Sequence, residues 1–152
     1  MLTDDVHKLI EDSVLCWLAT ASSDGQPSVS PKEIFAAQGN AIIIANIASP
    51  GSARNVRHNP RASVSFIDIF VQRGYQIAGE AVLLTPRDDA YAEAETALLA
   101  MTGNDYPFRT IFRIAADSVT PIVAPRYKLF PETTEAQQIA NAMRTYGVRP
   151  AS

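Results

Sequence analysis

Apolar and polar positions change period several times along the chain, and each change marks an element. Near the start, Val6, Leu9 and Ile10 recur at helical spacing behind Thr3 and Asp4, either of which suits an N-cap. This predicts a short amphipathic helix covering one end of a core. Residues 14–21 then read as a strand, 22–26 as its turn and 27–37 as the antiparallel return, because Asp24-Gly25 supplies the positive dihedrals of a tight hairpin. A second turn at Gln38-Gly39-Asn40 leads into residues 41–46. There Ile42-Ile43-Ile44 forms an uninterrupted β-branched run, suited to a strand buried on both faces.

Residues 61–67 alternate Ala62, Val64 and Phe66 with Ser63 and Ser65, so one face is apolar and the other small and polar. A strand over 76–84 follows a loop around Gln72-Arg73-Gly74. Thr85 is expected to cap a helix with Pro86 at its first position and Asp88 near its positive end, running to about Met101. Residues 110–123 form the last strand, with Pro121 near an edge or the end. A helix over 134–146 shows Ala136, Ile139, Ala140 and Met143 on one face. Strands here follow strands through hairpins. The fold expected is therefore mainly β with peripheral helices, a closed or split antiparallel β-barrel rather than a doubly wound sheet. No repeat, low-complexity tract or linker interrupts the 152 residues, which read as a single domain with a C-terminal helix.

With 47% hydrophobic residues the chain is large enough to bury a proper core. A net charge of -3 gives no general drive toward nucleic acid or an anionic membrane, so neither is an expected partner. Met1-Leu2-Thr3-Asp4-Asp5 lacks the basic flank and apolar run of a signal peptide, and no apolar stretch approaches a membrane span. The expected location is cytoplasmic. The single cysteine, Cys16, lies in an apolar run and reads as a small buried side chain.

Standard catalytic sets are missing from the sequence. His7 and His58 stand far apart, without metal-ligand spacing, and there is no nucleophile elbow, Walker loop or dinucleotide fingerprint. Asp88-Asp89, Glu93 and Glu95 suit the start of a helix for dipole reasons alone. No metal ligand and no catalytic residue are assigned. The segment after residue 46 is different in kind. Ser49-Pro50-Gly51-Ser52 leads into a short helix over 53–58, where free amides, hydroxyls and Arg54 or Arg57 suit a phosphate. An ordinary capped helix joining two strands is the alternative.

Trp17-Leu18-Ala19-Thr20, Asp24-Gly25-Gln26-Pro27, Ser30-Pro31-Lys32, Ser49, Ser52, Asn55 and Asn59-Pro60 occur in that order. The order resembles the pyridoxamine 5'-phosphate oxidase-like FMN-binding split barrels, over roughly residues 9–84. The resemblance implies FMN as cofactor and a flavin site shared between the subunits of a homodimer. It also implies an oxidoreductase using a nicotinamide donor or another small-molecule substrate. Carried over by position, Ser30, Pro31 and Lys32 line the flavin, and Ile47, Ala48 and Ser49 pass along its ring or ribityl chain. Ser52, Ala53 and Asn55 fall where phosphate contacts are expected, with Arg54 a further candidate. One departure stands out. The family's usual Lys or Arg near the start of the phosphate helix is replaced by Gly51-Ser52, which leaves charge neutralisation to Lys32, Arg54 or Arg57.

Gly79-Glu80-Ala81 looks like the family's Gly-x-Ala element, and Tyr75 before it either presents an aromatic edge to the ring or simply packs. The apolar run Ile67-Asp68-Ile69-Phe70-Val71 is the expected subunit contact. Pro125-Arg126-Tyr127-Lys128-Leu129-Phe130-Pro131 is only a loose echo of the arginine and histidine motif that holds substrate phosphate in pyridoxamine phosphate oxidase itself. The substrate therefore does not carry over. Two other classes stay open: a non-enzymatic flavin module acting as electron carrier or sensor, and a related barrel that binds deazaflavin or haem.

Overall fold

The computed structural model describes residues 1–103 and 105–151. Helix α1 (Asp4–Asp12) precedes strands β1 (Cys16–Ala21), β2 (Pro27–Lys32), β3 (Phe35–Gln38) and β4 (Ala41–Ala45). Helix α2 (Pro50–His58) leads to β5 (Arg61–Asp68) and β6 (Arg73–Leu84). Helix α3 (Tyr91–Thr102), β7 (Ile111–Val123), α4 (Pro125–Leu129) and α5 (Glu135–Tyr146) complete the chain. All strand pairs are antiparallel, in the order β2-β1-β5-β6-β7-β4-β3. The two edge strands, β2 and β3, are consecutive in the chain and separated only by Glu33 and Ile34. Three Cα steps span at most about 11 Å, so the sheet must curl until its edges meet. No ladder joins β2 to β3, and the result is a split barrel.

The single strand expected over 27–37 is thus two. Lys32 and Phe35 are both buried, yet in an unbroken strand residues three apart face opposite sides. The bend at Glu33-Ile34 restores both to the interior. There Cys16, Leu18, Ile42, Ile44, Val64, Phe66, Ile77, Phe112 and Ile114 form one core, with Phe35 edge-on to Phe66 at 5.3 Å between ring centres. Helix α1 adds Val6 and Ile10 to it, and α2 adds Ala53 and Val56. Ile43 and Ala45 point the other way, into a second core with Tyr91, Ala94 and Leu98 of α3. The isoleucine run is therefore buried on both faces, as its composition predicts.

Other boundaries moved for local reasons. Thr85 does not cap a helix at Pro86: its N–H and hydroxyl both donate to the Asp88 carboxylate, at 2.7 and 2.8 Å, closing a turn that delays α3 to Tyr91. Helix α2 starts three residues before the predicted position, with Pro50 in its first turn. In α5 the Thr134–Gln137 capping box forms as the residue types suggest, but the buried positions are Gln138 and Ala142. Ala136 and Ala140, expected inside, are exposed. Pro121 pairs with Tyr75 beyond the stretch of β7 that β4 covers, so its missing N–H leaves no ladder bond open on that side. Helix α4 carries no periodic signal and was not expected. Among the described residues, no helix is long and apolar enough to cross a membrane.

Strands β6 and β7 shift register at Ala78/Gly79, where Ser118 and Ala116 are successive partners and Asp117 is extra. A Cβ at Gly79 would lie 1.8 Å from the Ala115 carbonyl oxygen, so the bulge requires glycine. Gly79→Ala is expected to lose roughly 1–3 kcal/mol or more in urea denaturation. Unchanged stability would show that the strands separate freely at this point.

Candidate functional site

Lys32 is the last residue of β2, and the bend after it turns the side chain into the barrel, where it is 7% exposed. Its ammonium donates to the Ser49 hydroxyl, which in turn donates to the Ser52 hydroxyl at 3.4 Å. The Phe112 ring centre sits 5.9 Å from the Lys32 Nζ. Ser49 is the N-cap of α2, yet its side chain makes no capping bond to the helix amides. The first-turn N–H groups, which a capping hydroxyl ordinarily satisfies, are left for another acceptor. Ala48 reaches this cap at φ 49°, a left-handed conformation that a residue with a Cβ adopts at some strain.

The surrounding polar groups hold the connection in place. Asn46 donates through its side chain to the Thr110 hydroxyl at 2.9 Å and through its backbone to the Thr110 carbonyl at 3.0 Å. Its buried Oδ1 has no partner among the described residues. Asn55 donates to the Thr20 hydroxyl at 3.0 Å, tying α2 to β1. Next to the lysine, Pro31, Glu33, Ile34, Ala45, Ile47 and Tyr106 line a cleft of about 210 Å³.

Of the residues singled out by sequence, Pro31, Lys32 and Ile47 border this cleft, and Ser49 and Ser52 join Lys32 by hydrogen bonds. Ser30 is half-buried on β2 opposite Leu18, and Ala48 is exposed beside the cap. Ala53 packs in the core and Arg54 points to solvent. Tyr75 lines a different cleft, with Asp5, Leu9, Arg73 and Pro121. Glu33, Asn46 and Tyr106 were not anticipated. Tyr106, exposed at the rim, comes from the loop after α3, where no periodicity marks a residue as bordering the cleft.

The electrostatics are unbalanced. The Lys32 ammonium lies at the positive pole of α2, and no ion pair among the described residues includes it. Burial lowers its pKa from the ordinary 10.5, and proximity to Cys16 opposes this only when that thiol is ionised. Burial pushes the Cys16 thiol up to about 12, so at neutral pH it is uncharged and gives the lysine no support. A cation at a helix N-terminus that joins no ion pair among the described residues is a combination that favours an anion.

Residues 2–123 match the family model of pyridoxamine 5'-phosphate oxidase, and the chain belongs to that family. No curated protein matches it. Among solved structures, HupZ of Group A Streptococcus is 23% identical, with 78% of this chain and 92% of that chain covered and a TM-score of 0.67. HutZ, the haem storage protein from Vibrio cholerae, is 16% identical over 80% of this chain and 94% of its own, with a TM-score of 0.65. An FMN-binding protein from Syntrophomonas wolfei is 14% identical over 81% and 87%, also with a TM-score of 0.65. These likenesses establish the shared split-barrel fold.

Lys32 and Cys16 act on stability with opposite signs. The folded chain disfavours the Lys32 charge relative to the unfolded chain, so its cost is whole at low pH and fades as pH rises past the lowered pKa toward 10.5. For Cys16, the unfolded thiol ionises from about 9 while the folded one holds its proton to about 12, so stability falls through that window. Lys32→Met is expected to raise ligand-free stability at pH 7 and to abolish the alkaline gain, whereas Cys16→Ala abolishes the alkaline loss. Urea denaturation at a series of pH values checks this. A Lys32→Met protein less stable than its parent at pH 7 would contradict the unbalanced charge.

Proposed function

We propose that the protein is a homodimeric flavoprotein that binds FMN at the mouth of the split barrel and acts as an oxidoreductase on a small-molecule substrate or nicotinamide donor. The observation that carries this reading is the buried Lys32 ammonium at the uncapped start of α2, in no ion pair among the described residues. A phosphate monoester supplies the missing negative charge and accepts from the ammonium, the Ser49 and Ser52 hydroxyls and the first-turn amides together. Pro31 and Ile47 give the apolar wall on which a flat ring rests. Bound there, FMN supplies hydride exchange through its own ring system, so the reaction needs no dedicated protein base. The chain's part is to hold the phosphate, orient the ring and keep water from its covered face.

The cleft, at about 210 Å³, is smaller than the roughly 300–1,000 Å³ typical of a cofactor pocket, which supports a site completed by a second copy of the chain. Trp17, Val29, Ile67 and Ile69 are exposed. Val14, Trp17, Ile67, Ile69 and Phe70 border an apolar depression of about 420 Å³. A hydrophobic surface of this kind suits a subunit contact. Haem is the second reading, supported by the similarity to a protein described as a haem storage protein. Among the imidazoles that could hold a haem iron, His7 lies on α1 and His58 at the end of α2, where its Nδ1 is 2.9 Å from the Arg54 carbonyl.

The absorption spectrum of the purified protein after incubation with each cofactor separates the two, a yellow flavin spectrum being expected and an intense haem band with no flavin uptake being the contrary result. FMN is expected to bind more tightly than riboflavin. Lys32→Met should weaken FMN by roughly 10- to 100-fold, through loss of a charge-assisted bond, and leave riboflavin nearly unchanged. Equal affinity of the parent protein for the two ligands would remove the phosphate assignment.

Sedimentation velocity is expected to show a dimer. Ile69→Asp should convert it to monomer, because an unpaired charge is costly to desolvate in an apolar contact. A dimer that survives the change would place the interface on another face.

A further inference from the structure

The residues around Lys32 also form a constellation that phosphate binding does not require. The Lys32 side chain is bonded to the Ser49 hydroxyl, which lies 3.4 Å from the Ser52 hydroxyl. A lysine amine in contact with a serine hydroxyl is a pairing that activates a serine nucleophile without a histidine. Other features of Ser49 match that use. An N-cap serine ordinarily bonds to the helix amides, yet this side chain makes no such bond and stays free to attack. Ala48, immediately before it, holds a left-handed φ of 49°, the kind of strain that accumulates at functional residues. Ser49 is half-buried and so reachable from solvent, whereas Lys32 and Ser52 are buried.

A general base must be able to lose its proton, and a carboxylate paired with it would hold that proton on. None of the ion pairs among the described residues includes Lys32. Cys16, its register partner on β1, is kept neutral by burial, and burial disfavours the lysine charge as well. Glu33 and Tyr106, the titratable groups that border the adjoining cleft, are both exposed. The start of α2 supplies the other requirement. Pro50 has no N–H, and the Ala53 N–H donates to the Ser49 carbonyl at 3.1 Å. The N–H groups of Gly51 and Ser52 lie between them in the first turn, where an oxyanion on an acylated Ser49 is stabilised.

We propose that Ser49 is the nucleophile and Lys32 the general base of an acyl-transfer site that hydrolyses small esters. The Lys32 amine takes the Ser49 proton while Oγ bonds to the ester carbonyl carbon, and the carbonyl electron pair moves to the oxygen. As that oxyanion collapses, the bond to the alkoxy group breaks and Lys32 gives the proton to the departing alcohol. Water, deprotonated by the same amine, then adds to the acyl-serine, releasing the carboxylic acid and restoring the hydroxyl. Pro31, Ile34, Ala45 and Ile47 line the cleft of about 210 Å³ beside the lysine and suit a small apolar acyl group. An FMN phosphate would claim the same atoms, so the reaction belongs to the flavin-free chain and does not rest on flavin binding.

Diisopropyl fluorophosphate and p-nitrophenyl acetate, added to the flavin-free full chain, test this. The first is expected to phosphorylate Ser49 with loss of fluoride, located by peptide mass mapping, and the second to be hydrolysed over many turnovers. Ser49→Ala should abolish both, and it removes no capping bond from α2. Lys32→Met and Lys32→Arg cannot accept a proton at neutral pH, so each should slow both reactions by roughly 100-fold or more. Lys32→Arg keeps the positive charge, which separates loss of the base from loss of the charge. Saturating FMN should protect Ser49 in the parent protein; FMN that binds without slowing the labelling would count against the flavin site and leave the serine assignment standing. No modification of Ser49, ester turnover that survives in Ser49→Ala, or labelling at the parent rate in both lysine variants would overturn the proposal.

Discussion

Two residues, Glu33 and Ile34, connect the opposite edges of a seven-stranded sheet. That short link is the constraint on which the rest of the architecture depends. It forces the sheet to curl, encloses the core around Phe35, Phe66 and Phe112, and turns Lys32 inward at the seam where no ladder closes the barrel. The backbone hydrogen bonds absent at the seam leave room for polar groups of another kind. Ala45 donates to the Ile34 carbonyl there, at 3.0 Å, and the chain then passes through Asn46 and the strained Ala48 into α2. The opening is a consequence of the topology. What it can hold is decided by the few side chains at its rim.

Those side chains are unusual in sign. A lysine buried in a barrel ordinarily finds a carboxylate, because an unpaired charge in an apolar interior is expensive. Here its hydrogen-bond partner is the Ser49 hydroxyl, which donates on to Ser52, at the positive end of a helix. The same fold in other members of the structural class accompanies names as different as a haem storage protein and an FMN-binding protein. Fold and ligand are therefore separate questions, and the ligand question is answered by local charge and shape.

The C-terminal elements are fastened to the loop between β5 and β6 rather than to the barrel seam. Tyr146 donates to the Ile69 carbonyl at 2.9 Å, Tyr127 donates to the Val71 carbonyl at 2.8 Å, and Arg73 pairs with Glu135 while lying 4.2 Å from the Tyr127 ring centre. The loop that carries the exposed Ile69 is thus braced from behind by α4 and α5. A rigid loop loses little conformational freedom on association, which suits a contact surface.

Much of the fold was legible in the sequence because it depends on local period and composition. The isoleucine run at 42–44, the alternation through Ala62, Val64 and Phe66, and the Thr134–Gln137 cap each carry their signal within a few residues. The order of short motifs also identified the family, and with it the neighbourhood of Lys32, Ser49 and Ser52. Other features depend on contacts between distant parts of the chain, which no window of sequence contains. The break after Lys32 follows from barrel closure, since only a curled sheet demands that Lys32 and Phe35 share an interior. The delayed start of α3 reflects competition between two uses of Thr85 and Asp88, both permitted by their chemistry. Tyr106 reaches the cleft, and Gln138 rather than Ala136 or Ala140 is buried, because of where neighbouring elements pack. Sequence determined which segments become strands and helices and which family they compose. Tertiary structure alone decided which polar side chains were left facing one another without a partner, because that depends on the whole set of neighbours each one meets.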